Sequence, residues 1–315
     1  MFYKKSVFLL AVVVPLYVMA SSHIRRTQMM MGTYVTIEVE ASKVASIGSG
    51  FERMKMVEMA LSSYDPSAQI YQLNLHKKTS ISKDTYEALT RSQSYYQKSK
   101  GAFDISIGSI TRDLYRFGED AVIPTDEALD RATVNFKGIH FTKNEAWLEP
   151  GVRVDLGGMG KGFGVDEVAK VLQDEGVKEA KIMASGDIKC FQMCSIAIKN
   201  PFKAGTIAQF TTRYPLSAIS TSGNYERYVK NKSHHHLIDP KVKRSARTFA
   251  GITLVSRGDN ADIDAYATAA SVMSYDAAVA FLETCNVWYF LIEVDGSITY
   301  KLPNDFVDDL VIFKT

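Results

Sequence analysis

Cysteine is scarce in this chain: three residues, Cys190, Cys194 and Cys285, in 315. So small an odd count argues against the full disulfide framework that staples small secreted domains. It also leaves too few ligands for a zinc site. Cys190 and Cys194 can meet across a tight hairpin and oxidise, or stay as two ordinary buried thiols, which is the expectation. Charge of one sign is lacking too. Lys and Arg number 37 against 35 Asp and Glu, a net +2. No Lys/Arg run is long enough to suggest nucleic-acid binding. There is no internal repeat, low-complexity tract or long linker. One apolar run stands out, from Val7 to Ala20 behind Lys4 and Lys5. It falls short of the ~20 residues of a spanning helix and ends in Val18-Met-Ala20, a small-residue cleavage pattern. Residues 1–20 therefore read as a signal peptide and 21–315 as the mature domain of an exported, periplasmic protein. The run contains no Cys, which excludes a lipoprotein anchor there. An uncleaved run attaching the protein to the inner membrane is the alternative.

What remains is 46% hydrophobic, enough for a substantial core in one large domain or two. Thr33 to Glu40 alternates as a strand does. Phe51, Met54, Val57 and Leu61 share one helical face. Asp84 to Lys100 reads as a helix capped by Asp84 and stopped at Gly101. Short strands dominate from Ile182 to Tyr228. Gly251–Ser256 reads as a strand leading into an alanine-rich helix, and a further helix restarts at Ser274. Val287–Val294 and Ile298–Leu302 read as a hairpin around Asp295-Gly296. Without steady βαβ alternation, the pattern predicts α+β architecture, with mixed sheets and packed helices.

Two segments carry chemistry. Residues 157 to 164 hold five glycines, with Lys161 among them. Val152–Val154 alternates before the loop, and Val165, Val168, Ala169 and Leu172 follow with helical period, which predicts strand, glycine turn and helix. Glycines let backbone N–H groups approach an anion, and a helix N-terminus adds partial positive charge. The loop is neither a P-loop nor a dinucleotide fingerprint. Phosphate binding and a plain tight turn both fit it. In the second segment, Asp264 and Thr268 lie four apart in Ala261–Ala270. On a helix they share a face, offering the hard oxygens Mg²⁺ accepts. A helix cap at Asp264 is the bland alternative.

In order along the chain, eight stretches resemble the ApbE family of FAD:protein FMN transferases. They are Met31-Gly-Thr33, Tyr64-Asp-Pro-Ser67 through Leu73-Asn74, Gly101-Ala-Phe-Asp104, Asp155-Leu-Gly-Gly158 with Gly160-Lys-Gly162, Ser185-Gly-Asp187, Thr221-Ser-Gly-Asn-Tyr-Glu-Arg-Tyr228, His236-Leu-Ile-Asp-Pro240 and Asp264-Ala-Tyr-Ala-Thr268. The chain departs from the family where a Glu is usual and Ala68 and Gln69 stand. It departs again at Val242-Lys-Arg-Ser245, in place of Thr-Gly-Arg-Pro, and at Asn224, in place of Asp. These departures bear on substrate fit and rate more than on reaction type.

The resemblance implies one compact α+β unit with a flavin cleft between two subdomains. It implies Mg²⁺ held by the Asp264 carboxylate, the Thr268 hydroxyl and the Gly158 carbonyl. Asp155 and Lys161 are implied FAD contacts, while Ala102, Phe103 and Asp104 line the cleft. Met31 and Tyr64 pack on or gate the flavin, and Ile252 gives a backbone contact. His236 falls on the motif near the pyrophosphate; His234 and His235 are expected in a surface loop. The implied reaction moves FMN from FAD to a threonine or serine of an exported electron-transfer protein carrying an Asp/Ser-Gly-Ala-Ser/Thr-Thr motif, which this chain lacks. His236, Asp264 or a water molecule would take the hydroxyl proton. An FAD pyrophosphatase, or a flavin-binding envelope protein without turnover, is the rival expectation.

Overall fold

The computed structural model describes residues 22–302 and 305–313; the expected signal peptide lies outside them. Alternation in Thr33–Glu40 is real: Val35, Ile37 and Val39 are fully buried, while Tyr34 faces solvent. This strand belongs to an eight-stranded sheet. Its spatial order is His23–Met30, Thr33–Glu40, Ala180–Ala184, Asp187–Cys190, Ser217–Gly223, Phe249–Ser256, Trp288–Glu293, Ile298–Tyr300, and every neighbouring pair is antiparallel.

Phe249–Ser256 is buried along its whole length because both faces of the sheet are covered. On one face Ala218, Leu254, Tyr289 and Leu291 pack with helix residues such as Leu61, Phe163, Ile263 and Leu282. On the other, Ile219, Val255, Trp288 and Phe290 meet Ile196, Ile198, Ile207 and Phe210. The last four come from a three-stranded sheet of Ser195–Lys199, Thr206–Thr212 and Val307–Ile312. A smaller cluster around Ile110, Tyr115, Phe117 and Ile238 forms a separate core. The architecture is α+β, as the patterning predicts.

Three expectations are corrected. Val152–Val154 does not join a sheet. The Asn74 side chain takes the place of a neighbouring strand, donating to the Val154 carbonyl at 2.8 Å and accepting from its N–H at 2.7 Å. Asn74 itself lies on an unforeseen helix, Gln69–His76. The Lys83–Lys98 helix is capped by the Ser82 hydroxyl, which accepts from Thr85 N–H, not by Asp84, which pairs with Arg53. Cys190 and Cys194 form a disulfide: their Cα atoms stand 6.3 Å apart, within the range a bridge needs. The short span between the strand ending at Cys190 and the one starting at Ser195 brings them together.

Two helices position the site. Gly160–Asp174 and Asn260–Ser271 pack backbone to backbone, and a Cβ on Gly162 would sit 2.5 Å from the Asn260 carbonyl oxygen. The carboxylate of Asp166, on the first helix, accepts from the N–H groups of Asn260 and Ala261, both at 2.9 Å. It caps the second helix from outside. Burial pushes the Asp166 carboxyl up to about 7 despite Lys189 and these donors.

Gly162→Ala is expected to lower the unfolding free energy by about 1–3 kcal/mol, the usual range for overpacking. Cys194→Ser should cost about 2 kcal/mol, the chain-entropy value for so short a loop. Urea denaturation midpoints check both; unchanged midpoints would contradict them.

Candidate active site

The N-terminus of the Gly160–Asp174 helix faces a cleft of about 760 Å³. Its lining draws Leu61, Phe103 and Leu156 from the main core and Phe117 and Ile238 from the small one. Lys161 lies on the floor. Its Nζ is 3.1 Å from Asp187 Oδ2 and 3.2 Å from Asp264 Oδ2. Both aspartates are 2% exposed or less. Burial opposes the charge on Lys161, but the two carboxylates outweigh it and hold the ammonium above its usual range. Burial, and then Asp264, push the Asp187 carboxyl up to about 7, against Lys161 and the Ser220 hydroxyl, which donates to it at 2.6 Å. With both carboxylates ionised the trio carries one excess negative charge.

Asp264 is not a helix cap. It sits inside Asn260–Ser271, and its Oδ2 accepts from Gly162 N–H at 3.1 Å. Thr268, one turn on, donates its hydroxyl to the Gly158 carbonyl at 3.2 Å. A Cβ at Gly158 would meet Thr268 Cγ2 at 2.9 Å, so glycine permits this approach. A buried carboxylate, a hydroxyl and a backbone carbonyl, all hard oxygens, thus converge beside surplus negative charge. That donor chemistry fits Mg²⁺, which prefers few protein ligands and completes its shell with water and phosphate oxygens. Among the described residues no three or more His, Cys, Asp or Glu cluster as a metal-binding group, so the non-carboxylate oxygens matter.

Every other expected site residue but one lines the same cleft. Asp155 braces the loop: Oδ1 accepts from Gly157 N–H at 2.9 Å and Oδ2 from the Thr111 hydroxyl at 2.6 Å. Burial pushes the Asp104 carboxyl up, although Ser106 donates to it twice. Ala102 and Phe103 are buried beside it, the Phe103 ring edge-on to Tyr95. Met31 occupies the tight turn between the first two strands at φ +54°, its N–H donated to Glu58 Oε1 at 2.7 Å. Tyr64 lies under the Arg112 guanidinium, 3.5 Å from its ring centre, and its hydroxyl accepts from Arg227 at 3.2 Å. Ile252 stands apart. It is fully buried in the centre of the sheet, between Ser222 and Leu291 on the adjacent strands.

His236 also lines the cleft. Its Nδ1 lies 3.1 Å from the Arg227 carbonyl oxygen. A carbonyl only accepts, so Nδ1 carries the hydrogen and Nε2 keeps a lone pair. Burial, with Arg227 adding to it, pushes the imidazole down to about 3. His235 overturns the surface-loop expectation. It is 1% exposed, with Nε2 on the Ala246 carbonyl at 2.7 Å and Nδ1 accepting from Leu237 N–H at 3.2 Å. Sequence reasoning gave no role to Asp187, Arg112, Arg227, Glu58 or Thr111. Asp187 was within reach, as the acid of the Ser185-Gly-Asp187 stretch.

Residues 31–291 match the model of the ApbE family. Over 292 residues the chain is 24% identical to the FAD:protein FMN transferase of Treponema pallidum, covering 82% of this chain and 80% of that protein. Over 247 residues it is 26% identical to the FAD:protein FMN transferase of Vibrio cholerae, covering 73% and 74%. The fold is similar to the crystal structure of the ApbE protein of Thermotoga maritima, with a TM-score of 0.81 at 22% identity over 89% of this chain and 97% of that one. It is also similar to the flavin transferase ApbE of Vibrio cholerae, with a TM-score of 0.78 at 23% identity over 89% and 97%.

The depressed His236 fixes a sign. Below about pH 6.5 the unfolded chain binds a proton there, whereas the folded chain refuses it down to about pH 3. Stability therefore falls as pH drops through that window. His236→Asn should lose less Tm than the parent between pH 7 and pH 5. Equal losses would contradict the assignment.

Proposed function

The chain belongs to the ApbE family, and from that premise we propose that it transfers FMN from FAD to a threonine or serine hydroxyl of an exported electron-transfer protein, releasing AMP. It is a transferase, and FAD is its substrate. The observation that carries the reading is the floor of the cleft. There an ammonium, two buried carboxylates and the Thr268–Gly158 oxygen pair converge at the opening N–H groups of a helix.

The hydroxyl oxygen of the acceptor forms a bond to the FMN-side phosphorus. The bond from that phosphorus to the bridging oxygen breaks, and AMP leaves with the electron pair. Lys161 faces the pyrophosphate and offsets the charge that gathers on the leaving oxygen. The positive N-terminus of the Gly160–Asp174 helix favours the same group. His236 Nε2, unprotonated at neutral pH, accepts the hydroxyl proton. A bound pyrophosphate nearby raises its basicity, because negative charge favours the imidazolium. Arg227 holds His236 in that tautomer through its carbonyl and holds Tyr64 through its guanidinium. Mg²⁺, held by Asp264, Thr268 and Gly158, supplies Lewis-acid polarisation of the phosphoryl oxygens when bound. We place the protein in the periplasm, on the signal-like residues 1–20.

Protein lacking residues 1–20 is incubated with FAD, MgCl₂ and a peptide containing Asp-Gly-Ala-Thr-Thr, and the products are read by mass spectrometry. An FMN adduct on threonine that disappears with EDTA is expected. Asp264→Ala should lower its rate at least about a hundredfold, the cost typical of losing one key electrostatic contact. FMN and AMP without an adduct would make water the nucleophile and the protein a pyrophosphatase. Intact bound FAD would leave a flavin-binding protein without turnover.

A further inference from the structure

Charge is unevenly spread. Residues 226–247 hold seven Lys and Arg and two Asp and Glu, against 37 and 35 in the whole chain, so this segment carries +5 and the remainder −3. The segment also contributes to the cleft: Arg227, His236, Leu237, Ile238 and Pro240 line it. Not all of its charge is free. Lys243 donates to the carbonyls of Asp130 and Ala132, Arg244 pairs with Asp126 and Asp130, and Lys232 donates to the Pro201 carbonyl. Lys230, Lys241 and Arg247 remain exposed, and among the described residues none has a carboxylate within ion-pair distance.

Their placement follows from the backbone. Lys230 is at the tip, φ +60°, of the hairpin formed by Tyr228–Val229 and Asn231–His235. Lys241 follows the lining residue Pro240. Arg247 follows Ala246, whose N–H is donated to the carbonyl of the lining residue Leu237. Tyr228 and Val242, within the same segment, are 46% and 59% exposed. Unpaired cations interleaved with exposed aromatic and apolar side chains are the composition of a recognition surface, not of an ordinary solvated one.

We propose that this basic segment docks the acceptor protein through an acidic surface beside the hydroxyl to be modified. The inference rests on the transferase reading, because a protein nucleophile has to enter the cleft to reach the floor. Three exposed cations on the segment that lines the cleft, beside its lining residues in sequence, raise the local concentration of an acidic partner, chiefly through the association rate.

The test uses two fluorescent peptides, both containing Asp-Gly-Ala-Thr-Thr, one flanked by acidic and one by neutral residues. Binding is read by anisotropy at low and high salt, without turnover. The protein lacking residues 1–20 should bind the acidic peptide about tenfold tighter at low salt, with the advantage lost at high salt. Lys230→Glu/Lys241→Glu/Arg247→Glu should erase the preference while leaving the Kd for FAD, from flavin fluorescence, unchanged. Equal affinity for both peptides, or a preference that survives the triple substitution, overturns the proposal. So does a parallel loss of FAD affinity, which would assign the cations to FAD, or co-sedimentation with anionic-lipid vesicles that the substitution removes while peptide preference stays. Preferential binding without any FMN adduct would sink the transferase reading and leave the docking surface standing.

Discussion

The site depends on one contact, the bare backbone approach of the Gly160–Asp174 helix to the start of Asn260–Ser271. Each partner supplies what the other lacks. Asp166 satisfies the opening N–H groups of the second helix, and Asp264, from inside that helix, satisfies an N–H at the opening of the first. The exchange is reciprocal, and the absence of a side chain at Gly162 allows it. It fixes the distance between Lys161 and Asp264, and with it the position of Thr268 one turn further on. Helix termini leave backbone groups without partners. Here those vacant groups become the joint of the molecule and the floor of its cleft at once.

Much of this was legible in the sequence, for identifiable reasons. The glycine loop and the Asp264–Thr268 pair announce themselves by spacing, since helical period puts i and i+4 on one face. Strand Thr33–Glu40 and the hairpin at Gly296 follow from alternation and turn chemistry. What escaped reading were partnerships between distant residues. Nothing local says that Asn74 replaces a strand beside Val154, or that Ser82 caps a helix while Asp84 reaches Arg53. His235 reads as one of three exposed histidines because its acceptor, the Ala246 carbonyl, lies on another segment. The same blindness hid Arg112 and Arg227, whose cleft role appears only when the fold puts Tyr64 between them.

The electrostatics of the floor and of the 226–247 segment are opposite in sign, and the two suit successive events. With both carboxylates ionised the buried trio carries surplus negative charge, while the exposed 226–247 segment is positive. An anionic group arriving from solvent meets attraction first. It meets repulsion only at the floor, where the carboxylates outnumber the single ammonium of Lys161.

The strand order also has a kinetic side. Val35 pairs with Ala184, roughly half the chain away, and cleft residues come from Met31 at one end and Thr268 near the other. Loop-closure entropy for such pairings is lost before any burial rewards it, so topologies of this kind fold slowly. The cleft depends on such long-range pairings at both ends. A fragment that ends before the Asn260–Ser271 helix lacks Asp264 and Thr268 of the cleft lining. The complete cleft therefore needs nearly the whole chain.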